Sequence, residues 1–422
     1  MAERFGVSPA GRKKIKAVLD KEPDGGGPFL ANYYSGLKES KVQAFERVGR
    51  EMFGARYAIG VSSGTAALHA AFVAVGVGPG TEVICPAVGF MATAAAVVTA
   101  KGVPVFCDVD TSLSMDPAKI ESLITPRTVA LAPTCVMGSV PDMARILRVA
   151  RRHKLAVVED CAQSCGATYK GRNVGTLGDA GCFSISAYKI VGGGEGGLLL
   201  LKQKRLWERA QQLIECGGLW RPSRFAPPRY EGELFCGTNY RMSELEAAVD
   251  VVQLRKMNAT VKRFRTVKRR IIEALKTWRE IVPQQLNDAD GEVGYTLRFF
   301  PQTVELAERI TAALKAEGVS CATRGRNGRP DWHHYSFMYP VILRTGSTAD
   351  RCPWGCPIYV ERGGRAKYAR GDCPVADDLY DRLVTVQLNQ WLTAADCRNV
   401  AAAVNKVLAA YCTEDPQSTP WL

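Results

Sequence analysis

From about Tyr57 to Lys202, short apolar runs alternate with segments whose apolar residues recur at helical spacing. No other feature constrains the fold as much, because strand–helix alternation is resolved by a mainly parallel sheet covered by helices. The runs that read as strands are Tyr57 to Val61, Glu82 to Cys85, Pro104 to Asp108, Val129 to Pro133, Leu155 to Glu159, Gly181 to Ser184 and Gly197 to Leu201. The expectation is an α/β protein with a seven-stranded sheet. Ligands of such a sheet gather outside the carboxyl ends of its strands.

A helical pattern from about Ser243 to Trp278 follows, then the linker-like Pro283-Gln-Gln-Leu-Asn-Asp-Ala-Asp-Gly291. The domain boundary is therefore placed after Val282. Residues 1–282 form a large domain with an N-terminal helical segment, ending in the turn-like Pro23 to Pro28, and residues 283–422 form a smaller domain. The smaller domain is predicted to open with a strand, Val293 to Phe300, and a helix, Val304 to Glu317. Thr323 to Cys373 reads as an irregular stretch rich in Gly, Arg and Pro, and long loops of that kind are often functional.

Composition excludes several classes. The N-terminal segment has no apolar core for a signal peptide, and no apolar run approaches the roughly 20 residues of a membrane helix. A cytoplasmic protein with no membrane partner is expected. Its 14 cysteines are scattered through apolar segments, which favours reduced, buried thiols over a disulfide framework. His333, His334, Cys352 and Cys356 match no standard zinc spacing, so no metal is expected. The formal charge of +13 would suit nucleic acid, anionic lipid or a phosphorylated substrate. Its densest run, Val261 to Arg270, lies in a helical pattern and reads as a solvated helix face, so no nucleic-acid partner is expected.

Three segments carry chemistry. In Val157-Val-Glu-Asp-Cys-Ala-Gln163, Asp160 and Gln163 lie just beyond an apolar strand. There a carboxylate suits a protonated pyridine nitrogen and an amide suits a phenolate oxygen, although Asp160 also reads as a helix cap. In Gly181-Cys-Phe-Ser-Ile-Ser-Ala-Tyr-Lys189, the lysine falls between a strand and the loop Gly192-Gly-Gly-Glu-Gly-Gly197. Glycines let backbone pass close to a bulky cofactor, and a desolvated lysine can act as a nucleophile; a lone lysine is otherwise a surface charge. In Val61-Ser-Ser-Gly-Thr-Ala-Ala-Leu-His-Ala-Ala71, a strand breaks at Gly64 into an Ala-rich helix. Helix-start amides with Thr65, and with Ser184 from the later strand, suit a phosphate, the alternative being a plain cap.

Ser63-Gly-Thr-Ala-Ala-Leu68, Glu159-Asp-Cys-Ala-Gln163, Ser184 with Lys189, Gly194-Glu-Gly-Gly197 and Asn239-Tyr-Arg-Met-Ser-Glu244 occur here in the order found in the DegT/StrS sugar aminotransferases. The chain resembles that family from about Tyr34 to its C-terminus, most strongly from Ile59 to Leu254. The resemblance implies a fold-type I homodimer using pyridoxal 5'-phosphate, with a mainly parallel seven-stranded sheet and a smaller α+β C-terminal domain. It also implies Lys189 as the internal aldimine and proton shuttle, Asp160 on the ring nitrogen, Gln163 near the phenolate and Phe90 stacked on the ring. The phosphate is then expected at Gly64, Thr65, Ala66 and Ser184, with Asn239 reaching across from the partner subunit. Taken alone, Phe90 reads as a core aromatic and Asn239 as a loop residue.

The activity so implied is transfer of an amino group from glutamate or glutamine to a keto-sugar or keto-cyclitol, the keto-cyclitol branch of antibiotic biosynthesis being favoured by the chain's length and its Cys352 to Trp391 region. Two alternatives stand beside it. Sugar dehydratases of the family replace the lysine by histidine, and Lys189 is present; a non-catalytic regulatory or nucleic-acid-binding member is opposed by the intact Lys189, Asp160 and Gln163. The sequence departs from the family at Cys135 and Cys165, where many relatives have histidine. Arg298, Arg324 and Arg326 are candidates to meet an anionic substrate group, against the plainer reading of exposed arginines.

Overall fold

The computed structural model describes residues 7–21, 39–218, 225–326 and 328–421. The chain divides into two compact units, Met1–Ser40 and Lys41–Leu422. In the first, Pro9–Leu19 is a helix whose Ser8 side chain accepts the Gly11 amide. The Pro23 to Pro28 turn lies outside the described residues.

In the second unit seven strands form one sheet: β1 (Tyr57–Val61), β2 (Glu82–Pro86), β3 (Val103–Cys107), β4 (Thr128–Leu131), β5 (Ala156–Asp160), β8 (Ala180–Ser184) and β9 (Gly197–Leu201). The pairs of residues Thr168–Tyr169 (β6) and Arg172–Asn173 (β7) make a small hairpin of their own. The order is β1-β9-β8-β5-β4-β2-β3, and only β9 runs against its neighbours. The mainly parallel seven-stranded sheet expected from the alternation is thus present. β9 is buried throughout, as its unbroken leucines require, since a central strand covered on both faces has no polar side.

Successive side chains supply two separate cores, as strand geometry dictates. Val83 and Cys85 pack with the helices Gly64–Ala74 and Ala92–Thr99, while Ile84 between them packs with Lys41–Phe53, Met143–His153 and the 29-residue helix Glu244–Ile272. That long helix stops short of the expected Trp278. The chain beyond it is drawn into a bridge between Trp278 and Glu414 and a backbone bond from Arg279 to Thr413. In the basic run, Val261, Val267 and Lys268 are buried, Lys268 against Glu292; Arg263 and Arg265 are half-buried, and Lys262, Arg269 and Arg270 are exposed. No helix among the described residues is long and apolar enough to cross a membrane.

A second sheet has the order β10-β11-β13-β12, from Ile281–Pro283, Thr296–Pro301, Val384–Gln387 and Cys321–Thr323. It packs on Val304–Ala316, Ala394–Tyr411 and the end of the long helix. β10 begins before the linker rather than after it, and at three residues it is too short to show a period. The strand expected at Val293 starts instead at Thr296, because Val293 is tied through its amide to the Gly138 carbonyl. Much of the irregular stretch returns to the first sheet: Tyr335, Trp354 and Tyr359 join its core, and the Tyr359 hydroxyl donates to Glu82 at 2.9 Å.

Candidate active site

Because β1, β5 and β8 run the same way, their carboxyl ends meet at one edge of the sheet. Asp160 ends β5, and its backbone is fixed to the exit of β4 by bonds from its amide to Pro133 and from the Cys135 amide to its carbonyl. Its side chain is 3% exposed. One carboxylate oxygen accepts the Thr93 hydroxyl at 2.5 Å and the other the Ala162 amide at 3.0 Å. Asp160 is therefore held by two neutral donors rather than by an ion pair. Burial raises its pKa, opposed by the Thr93 and Ala162 bonds and by the charge of Lys189.

Lys189 follows β8 in a turn closed by its own amide on the Ser186 carbonyl, 3.0 Å away. Burial lowers its pKa and the Asp160 carboxylate works against that. A half-buried amine of reduced basicity beside a buried carboxylate is poised to lose its proton, which a nucleophilic amine requires. The glycine loop beyond it packs on Asp250 of the long helix: a Cβ at Gly193 would overlap that carboxylate, and one at Gly196 would come within 2.8 Å of it. Asp250 is fully buried, neither of its oxygens has a hydrogen-bond partner among the described residues, and burial with some help from Glu246 pushes its pKa up to about 8.

At the exit of β1, Gly64 lies against Ser184: a Cβ there would stand 2.7 Å from the Ser184 Cβ and 3.1 Å from its Cα. The Ser63 hydroxyl caps the helix by accepting the Ala66 amide at 3.0 Å, so that amide is already engaged within the chain. Thr65 is exposed. Gln163 spends its side-chain oxygen on the Met137 amide (2.8 Å), and its carbonyl accepts the Tyr295 hydroxyl (3.2 Å). Phe90 is 41% exposed, not a core aromatic, and its ring lies 5.2 Å from that of His333. Asp160 and Thr93 are thus joined, with Lys189 within electrostatic reach of Asp160, and Gly64 lies against Ser184.

Asn239 stands apart in the chain's own contacts. It is exposed, on a segment bridged to Glu215, and its side-chain oxygen accepts the Arg241 amide at 3.1 Å. Residues 219–224, ahead of this segment, lie outside the described residues.

The arginine candidates divide. Arg298 is fully buried, contrary to the exposed reading, and donates to the carbonyls of Val136 and Met137 and to the Ser139 hydroxyl. It is a structural tie between the two sheets. Arg326 is an exposed partner of Glu305. Arg324 pairs with Asp381 and stacks on Phe337 at 4.4 Å, and it lines a cleft of about 430 Å³ with Met137, Tyr295, Asp331 and Tyr380. Cys135 and Cys165 are buried. A bond with Cys161 favours the Cys135 thiolate, but burial and the Glu159 and Asp160 carboxylates outweigh it, and burial pushes Cys165 up to about 12. Neither thiol carries protons near neutral pH. Sequence reasoning missed His333, weighed only as a zinc ligand; its proximity to Asp331 was the one local signal.

The residues at this edge fit pyridoxal phosphate. Asp160 is a buried carboxylate with no cation bonded to it among the described residues, a partner for a charged ring nitrogen; Lys189 is of lowered basicity; and the close Gly64–Ser184 approach brings a hydroxyl-bearing residue to a helix start.

Comparison with known proteins agrees. Residues 34–324 match the model of the DegT/DnrJ/EryC1/StrS aminotransferase family. The chain is 34% identical over 386 residues, 90% of its length and 88% of the relative's, to an L-glutamine:2-deoxy-scyllo-inosose aminotransferase of Streptoalloteichus tenebrarius. It is 32% identical over 372 residues, 87% and 90% of the two chains, to a GDP-perosamine synthase of Caulobacter vibrioides. Among solved structures, an aminotransferase from Psychrobacter cryohalolentis superposes with a TM-score of 0.74 at 26% identity, over 96% of this chain and 97% of that one. The architecture is that of the fold-type I aminotransferases. The chain belongs to the DegT/DnrJ/EryC1/StrS aminotransferase family, a family of pyridoxal-phosphate-dependent transaminases.

Proposed function

We propose that this protein binds pyridoxal 5'-phosphate through Lys189 and moves an amino group from glutamine or glutamate to a keto-cyclitol or keto-sugar in aminocyclitol or amino-sugar biosynthesis. The observation that carries the reading is the buried Asp160 carboxylate facing an amine of lowered basicity at Lys189. The relative of Streptoalloteichus tenebrarius is named for glutamine and 2-deoxy-scyllo-inosose, which favours a cyclitol ketone over a nucleotide-linked sugar.

The cofactor supplies an aldehyde carbon and an electron-withdrawing ring, so that an amino group and a proton can be exchanged between donor and acceptor carbons. Asp160, held in place by Thr93 and Ala162, would pair with the ring nitrogen and keep it positive. Lys189 would hold and return a proton at its Nζ, its basicity lowered by burial. Phe90 would cover one face of the ring and exclude water there. Ser184, Thr65 and the helix start at Gly64 would hold the phosphate, joined by the Ala66 amide once it leaves the Ser63 hydroxyl, and Gln163 would orient the ring edge. Asn239 serves the partner's site, which makes a cytoplasmic homodimer the working unit. Residues 283–422 act as the smaller domain.

The test is direct. The cofactor-loaded protein should lose its visible absorbance with glutamine and recover it on addition of 2-deoxy-scyllo-inosose. Failure to respond to any amino donor would refute transamination.

A further inference from the structure

The small-domain side of the site holds an imidazole whose orientation is fixed by a carboxylate and a tyrosine. Residues 333–335 run alongside the exit of β2: the His333 carbonyl accepts the Gly89 amide at 2.8 Å, His334 bridges Val88, and the Tyr335 amide donates to Ala87 at 2.8 Å. This places the His333 ring against Phe90, three residues before the Thr93 that bonds Asp160. Asp331 accepts both the His333 amide (2.9 Å) and a bond from ring Nδ1 (2.8 Å), while its second oxygen accepts the Tyr380 hydroxyl at 2.6 Å. Asp331 and Tyr380 line the 430 Å³ cleft beside Met137 and Tyr295, the residues bonded to Gln163.

We propose that His333, held by Asp331 and Tyr380, is a substrate-binding residue whose free Nε2 accepts a hydrogen bond from a ring hydroxyl of the polyhydroxylated ketone acceptor. Burial disfavours the Asp331 carboxylate, but the bonds from His333 and Tyr380 outweigh it and hold the group well below the usual carboxylate range, so it is ionised and can only accept. In the neutral ring the proton then sits on Nδ1, where Asp331 can only accept it, and Nε2 presents the lone pair. That atom has no hydrogen-bond partner among the described residues, and the side chain is about one-third exposed (31%). A lone-pair acceptor selects hydroxyl donors. The thiols of Cys135 and Cys165, buried and protonated, cannot do this work.

The proposal rests on the transaminase reading, and its test separates the two. The donor step is followed with glutamine and the loaded protein, and the acceptor step with the amine-loaded protein and 2-deoxy-scyllo-inosose. His333→Ala should raise the half-saturating concentration of the acceptor about ten- to thirtyfold, the worth of one buried hydrogen bond, and leave the donor step within about twofold. His333→Gln, which keeps an acceptor atom, should recover much of the loss, and Asp331→Asn should fall between. Equal losses in both steps, or none in either, overturn the proposal. A wild type inert toward glutamine overturns the transaminase reading instead. In that event nitrogen-15 spectra of the cofactor-free protein still judge His333, because the chain has only 4 histidines. One ring should carry its proton on Nδ1, lose that preference in Asp331→Asn, and shift at Nε2 on addition of scyllo-inositol. A proton found on Nε2, or no shift with the polyol, overturns the assignment.

Discussion

Asp250→Asn should reshape how stability depends on pH while preserving the side chain's shape. Asp250 is packed against Gly193 and Gly196 with no hydrogen-bond partner among the described residues, and its pKa is pushed up to about 8, by burial first and Glu246 second. In the unfolded chain the same group titrates near about 4. The folded state thus binds the proton more tightly, so the stability this group contributes is fully present below about pH 4 and is lost as pH rises to about 8. Each tenfold change in proton affinity is worth about 1.4 kcal/mol, which sets a ceiling of about 5 kcal/mol. Loop relaxation and water entry bring the measurable loss to about 2–3 kcal/mol. An asparagine does not titrate. Relative to wild type at pH 5, Asp250→Asn should therefore gain about 2–3 kcal/mol at pH 8.5, equivalent to about 3 °C in melting temperature for a chain of this length. Denaturant titrations from pH 5 to 9 provide the measurement. Parallel pH profiles for the two proteins would refute the reasoning, because Asp250 would then titrate alike in folded and unfolded chains.

Asp160→Asn should cut transamination by several orders of magnitude with little change in melting temperature, since an amide cannot hold the ring nitrogen positive; near-normal turnover would leave Asp160 a purely structural role. Gly64→Ala forces a methyl group into Ser184 and should weaken cofactor retention with a stability loss of about 1–3 kcal/mol, read by dialysis and thermal melting. Cofactor binding unchanged in that variant would remove the phosphate from this corner. Lys189→Ala and Asn239→Ala chains, each inactive at limiting cofactor, should regain activity when mixed under subunit exchange, because one site of the heterodimer then carries neither mutation. Heterodimers without activity would show that Asn239 does not serve the partner's site.

What was legible in the sequence follows from how local each signal is. The strands of the first sheet are short apolar runs between turn residues, so burial on both faces makes them readable within a residue or two. Asp160, Ser184, Gly64 and Lys189 sit at strand exits, where polar residues against an apolar background stand out. β10 was not readable, because three residues carry no period and its identity comes from pairing with β11. Arg298 was misread because the carbonyls that satisfy it, on Val136 and Met137, are distant in sequence and reach it only through the packing of two sheets. His333 was hidden for a similar reason: its meaning depends on Phe90 and Tyr380, and the local sequence shows only two adjacent histidines. Asp250 looks from the sequence like one more polar residue on a charged helix; only the glycine loop folded over it makes it a buried acid.

The central claim is that Lys189 is the residue joined to the cofactor. Incubating the protein with pyridoxal phosphate, reducing with borohydride and mapping the peptides by mass spectrometry tests it most directly. The account predicts a single reduced pyridoxyl-phosphate adduct on Lys189, abolished by prior addition of excess glutamine and absent in Lys189→Ala. An adduct on another lysine, or none at all in a folded protein, would contradict it.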